Sequence, residues 1–193
     1  MNWRKNIYAA NKSVGAVKNP VIENPDSIDE AFAATANEIL SNGVELIRQL
    51  IPSHQSAIAI IVSKDWTTVR KYFSLSEKYA EWKDYASPAT GYGIHNHILH
   101  QTKPVRVTQA ELEANPEWKN FGNEAGKHPP MRGWLAAPLN DTQGNNWGLV
   151  QLSDKLEGDY DETDEHLLLD FTKLVATALE LAWEKRNWLK TNS

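Results

Sequence analysis

The chain is 193 residues long, contains no cysteine and eight tryptophans, and has a formal net charge of -5. That length suits one domain with a single buried core, and 41% hydrophobic with 23% charged residues excludes a disordered or fibrous chain. The missing cysteines exclude disulfides, thiolate nucleophiles, zinc ribbons and iron–sulfur clusters, and mild acidity speaks against a nucleic-acid partner.

Residues 1–18 mix Trp3, Arg4, Lys5 and Tyr8 and lack the apolar core of a secretion signal. The longest apolar run, 57–62, is far short of the roughly 20 residues of a membrane helix. A cytoplasmic protein with no membrane contact is expected. Asn19-Pro20 and Asn24-Pro25 mark an irregular lead-in, so 1–26 is set apart as an extension, 27–190 as the domain and 191–193 as a tail. Ser27 with Glu30 has the spacing of a capping box that opens a long helix, and Pro52 stops it. Phe32, Ala36, Ile39, Gly43, Leu46 and Leu50 alternate four and three apart, which predicts its buried seam.

The period then changes. Residues 56–63 read as a strand buried on both faces, and 69–75 as a second strand, with a turn at Asp65-Trp66 between them. Residues 76–85 fit a loop or a helical turn equally well. Gly91-Tyr92-Gly93 precedes a short helix over 94–101, and 105–107 is a brief strand. Thr108 and Glu111 cap a helical turn over 109–114. The rest of 108–133 is rich in Gly, Asn, His and Pro but holds Trp118, Phe121 and Met131, which predicts an ordered lid. Residues 134–139 and 147–153 are apolar strands joined by turn residues, hence an antiparallel hairpin. A last helix runs from near Asp161 to about Leu189, with Leu167, Phe171, Leu174, Ala178, Leu181 and Trp188 as its seam. The fold class is α+β: an antiparallel sheet, the N- and C-terminal helices together on one face, the lid and short helices on the other.

Three stretches resemble the GAF domain family of small-molecule sensor modules. Gly93-Ile94 through Thr102 and then Pro104-Val105-Arg106-Val107 are similar to the family's glycine-led helix and Pro-Val strand. Leu135-Ala136-Ala137-Pro138-Leu139, Gly144 and Gly148-Leu149-Val150-Gln151-Leu152 are similar to its hairpin. Asp154-Lys155, Tyr160 and Asp164-Glu165 resemble its Asn-Lys, Phe, Asp-Glu signature, with Asp154 standing for the usual Asn and Tyr160 for the usual Phe. Residues 126–134 further resemble a variant from bacterial multi-domain sensor kinases. The likeness spans about residues 30 to 183. It implies a ligand between sheet and lid, a homodimer through the terminal helices, and a signalling output domain or kinase as partner in a two-component system. The signature also has a plain structural reading, in which Lys155 pairs with Asp164 above a packed Tyr160, and acidic residues suit a helix start.

Without cysteine, thioether attachment of a bilin and cysteine-based sulfoxide reduction, two chemistries of that family, are ruled out. Ligand binding, if any, is then non-covalent, the ligand an unknown small molecule and the module not an enzyme. His95, His97 and His100 raise a metal site, but His95 and His97 lie about 200° apart on a helix and cannot share an ion, and His97 with His100, which could, have no evident third ligand. His95-Asn96-His97 spells a nuclease motif without its strand–turn–helix context. A non-covalent haem on a histidine leaves no sequence mark either way. No cofactor is therefore assigned. The candidate pocket takes its walls from Trp118, Phe121, Met131 and Trp134, and its polar contacts from His95, His128, Arg132 and Gln151. An inward Arg132 would favour an anionic group; the competing reading is a surface Arg132 and tryptophans that fill the core. The alternative to a sensor is a dimerisation or interaction module with no physiological ligand, motivated by the two helical stripes.

Overall fold

The computed structural model describes residues 27–61, 68–82, 89–90, 103–115, 130–144 and 146–192. The expected extension 1–26, the Asp65-Trp66 turn, the 94–101 helix and the middle of the lid lie outside them. Helix α1 (Ser27–Leu50) leads into strand β1 (Ser53–Ile61) and strand β2 (Thr68–Leu75). A 3-10 segment, Glu77–Trp82, follows and is kinked at Tyr79. Strands β3 (Ala89–Thr90) and β4 (Val105–Val107), helix α2 (Gln109–Ala114), the hairpin β5 (Trp134–Asn140) and β6 (Asn146–Lys155), and helix α3 (Glu162–Asn192) complete the chain. The strands form one antiparallel sheet in the order β3-β2-β1-β6-β5-β4, so β1 and β6 are its centre.

Local chemistry sets the element ends. At α2 the Glu111 amide donates to Thr108 Oγ1 at 3.2 Å and the Thr108 amide donates to Glu111 Oε2 at 2.8 Å, the expected capping box. Asp161 Oδ1 accepts from the Thr163 and Asp164 amides and starts α3. The β5–β6 register slips between Pro138 and Asn140. Gly148 there comes so close to β1 that a Cβ would stand 1.9 Å from the Ala59 carbonyl oxygen.

Strand alternation splits the buried residues into two layers. Ile58, Ile60, Leu135, Ala137, Val150 and Leu152 face α1 and α3 in the main core. Ala59, Ala136, Leu149 and Trp134 face the other way, with Leu112 and Met131. The long helices do lie together: Phe32 meets Trp183 edge-on at 5.2 Å, and Arg186 Nε donates to Asp29 Oδ1 at 2.5 Å. The start of α1 thus meets the end of α3.

Both expected seams need correction. Helix α1 buries Phe32, Ala36, Leu40, Val44 and Ile47, while Leu46 and Leu50 are exposed. A seam drawn with period 3.5 drifts off the face of a 3.6-residue helix by about 20° per heptad, and by the second half it points outward. In α3 the core takes Leu168, Phe171, Val175 and Leu179. Leu167, Leu174, Leu181 and Trp188 are 37%, 71%, 60% and 64% exposed, a separate stripe at seven-residue spacing.

Candidate functional site

The sheet face turned away from α1 and α3 has small residues at its centre. Register pairs Phe73 with Ala57, Ala57 with Gln151 and Gln151 with Ala136, so these four share one row across β2, β1, β6 and β5. The next row is Lys71, Ala59 and Leu149. Where alanine stands at a mid-sheet position, the floor is low; larger side chains rise around it. From β2 to β5 the floor spans three interstrand steps, about 14 Å. Trp134 and Met131 bound one side, buried with Leu112 of α2 behind them. The Trp134 indole donates from Nε1 to Gln151 Oε1 at 3.1 Å, which fixes the orientation of that amide inside the face.

Lys71 bounds the other side. It lies opposite Ala59 and therefore on the same face, partly buried, with its ammonium 5.8 Å from the Phe73 ring. Burial pulls its pKa down from 10.5 to about 8. Among the described residues no carboxylate pairs with it.

A polar cluster closes one end of the floor. Asp154, next to last in β6, has a positive φ of 57°, a conformation that favours a short polar side chain over most others. Its Oδ2 accepts from Lys78 Nζ at 2.5 Å and from the Tyr79 hydroxyl at 2.6 Å. Burial alone would raise the Asp154 pKa, but these two bonds outweigh it and hold the carboxyl below its usual range. Burial and the bond to Asp154 push the Tyr79 hydroxyl up to about 12. The lid's end is pinned to this cluster. Gln55 Nε2 donates to the Pro130 carbonyl at 2.6 Å, and the Asp154 amide donates to the Arg132 carbonyl at 2.7 Å.

Of the expected pocket residues, Met131, Trp134 and Gln151 come together on this face. The Arg132 backbone is held, but its side chain is exposed. His95, Trp118, Phe121 and His128 lie outside the described residues. The rest of the signature fixes structure: Lys155 Nζ binds Asp164 Oδ2 at 2.5 Å, and the Tyr160 hydroxyl meets Ser53 Oγ at 3.0 Å. Lys71, Ala57 and Ala59 escaped the reading of the sequence. The available signal was a lysine two positions from both Val69 and Phe73, where strand alternation demands an apolar residue. Among the described residues no group of three or more His, Asp or Glu is placed to hold a metal ion.

The GAF domain family model matches residues 33–180. A comparison with curated proteins finds no match. Solved structures share the fold. The GAF domain of a phosphoenolpyruvate-protein phosphotransferase from Coxiella burnetii is similar at 17% identity and a TM-score of 0.60, covering 96% of each chain. The GAF-B domain of DevS from Mycobacterium smegmatis is 13% identical with a TM-score of 0.59, over 79% of this chain and 98% of that one. Free methionine-R-sulfoxide reductase from Neisseria meningitidis, solved with its substrate, is 12% identical with a TM-score of 0.57, over 88% of this chain and 99% of that one.

Proposed function

The chain belongs to the GAF domain family, and from that premise we propose that it is a non-catalytic sensory module of bacterial signal transduction. A small molecule binds non-covalently over the alanine floor, and the long helices carry the change onward. The observation that carries this reading is the floor itself: an apolar, low-centred sheet face with one oriented amide, Gln151, tied to Trp134. The route to the helices is short. Ala57 and Ala59 line the floor, while Ile58 and Ile60 of the same strand pack under α1 and α3. A ligand that shifts β1 therefore disturbs both layers, because close-packed cores respond in discrete steps.

The absence of cysteine supports non-covalent binding, since neither a thioether nor a thiol-based reduction has a sulfur to use. Among the described residues no helix is long and apolar enough to cross a membrane, which suits a cytoplasmic role. The test is native mass spectrometry of the purified chain, followed by thermal shift against a metabolite panel. A bound mass, or a rise in midpoint with ligand, is expected. A dry interior together with no shift from any probe refutes the sensor reading.

One observation favours a second role, as a dimerisation module. Leu167, Leu174, Leu181 and Trp188 recur every seven residues on the outside of α3. That period matches a coiled-coil seam, so a second copy of the same helix is the partner it fits. Light scattering that finds only monomer at working concentration removes this reading and leaves the pocket untouched.

A further inference from the structure

We propose that Lys71 reads the ligand, and that the ligand is a small monocarboxylate on a flat apolar body. This rests on the sensor reading above and adds the chemical class of what the same site takes. Three observations carry it. Lys71 shares the floor's face by register with Ala59, at the side opposite Trp134. The other charged groups that the described strands bring to that face are already paired, Asp154 with Lys78 at the floor's end and Lys155 with Asp164. And no described carboxylate neutralises it.

A partly buried ammonium with no carboxylate beside it among the described residues weakens a fold, and an anion that reaches it relieves that cost. One cation balances one negative charge. A dianion such as a phosphate monoester would bring a second charge, and the other ammonium at this face, Lys78, is already held by Asp154. Across the floor from Lys71, the low alanines and the Trp134 ring fit a planar body, and about 14 Å accommodates one or two rings. The carboxylate then sits by Lys71, and the body runs over Ala57 and Ala136 toward Trp134.

The test uses the whole chain and three matched pairs: benzoate with benzamide, phenylacetate with phenylacetamide, and indole-3-acetate with indole-3-acetamide. Binding is read by thermal shift and titration calorimetry in the wild type, Lys71→Arg and Lys71→Met. In the wild type and in Lys71→Arg, at least one acid should bind tenfold or more tighter than its amide. Lys71→Met should lose that preference while its ligand-free melting midpoint rises. Equal binding of acid and amide in the wild type overturns the proposal, as does a preference that survives in Lys71→Met. If the acids fail but adenosine or another neutral probe binds, the carboxylate class is wrong and the sensor reading stands. If no probe of any class binds, both fall.

Discussion

The Lys71 ammonium lies on an apolar face, so at neutral pH its charge opposes folding. Below pH 8 the lysine is charged in folded and unfolded chains alike, and the full penalty is present. Between about 8 and its ordinary 10.5 the folded chain has released a proton that the unfolded chain still holds, so stability rises with pH across that window. Ala59, Leu149 and Phe73, its neighbours on β1, β6 and β2, do not titrate. Lys71→Met should therefore have the higher urea midpoint at pH 7, and the gap should close by about pH 10. Gly148 is constrained more simply. An alanine Cβ there would collide with the Ala59 carbonyl in the middle of the sheet. Gly148→Ala should lose about 3 kcal/mol in chemical denaturation. The glycine was visible in the sequence as part of a hairpin pattern. Lys71 was not, because which face a strand residue shares depends on pairing with strands far along the chain.

At the scale of elements, α1 is tied to the sheet by more than its apolar face. Glu45 accepts from the Ser74 hydroxyl of β2, from Gln49 at 2.7 Å and from Arg48 at 2.8 Å. The Ser74 bond, then Gln49, outweigh burial and with Arg48 bring the Glu45 pKa down to about 2. The folded pKa lies below the unfolded value of 4.5, so this stabilisation is complete above 4.5 and disappears as pH falls toward 2. Glu45 is about half exposed, so solvent keeps the effect modest. Glu45→Gln should lower the denaturation midpoint at pH 6 and make little difference at pH 2.5. On α3 the outer stripe yields a separate expectation. On the proposed dimer reading, Leu174→Glu with Leu181→Glu should shift light scattering from dimer to monomer and lower the melting midpoint only by what association contributes, since both side chains face water in the lone chain. These helices show where pattern reading fails. Leucines recur on both the inner and the outer face of α3, and spacing alone cannot say which set has a sheet beneath it. Capping at α2 was legible because Thr108 and Glu111 act within four residues of chain.

For the whole molecule, the sheet is a partition: one side belongs to α1 and α3, the other to the candidate ligand. That division was legible from strands apolar on both faces, such as β1, which need cover above and below. The strand order was not, since it places β1 beside β6 across most of the sequence. Half of the expected pocket residues, Met131, Arg132, Trp134 and Gln151, could be placed, and Arg132 shows why composition misleads: its backbone serves the site while its charge faces water.

The clamp between the start of α1 and the end of α3 bears on how this domain would respond to tension. Asp29 is held by Arg186 and, at 2.7 Å, by Lys190, so any chain continuing from either helix leaves from the same corner. A pull applied through both continuations loads the two antiparallel helices like the open ends of a zipper. Such a pull should break the Asp29 contacts first and peel the helices from their ends before the strands part, an order that force spectroscopy on the chain checks. The face of the sheet turned away from both helices is then the part expected to bear the strain last.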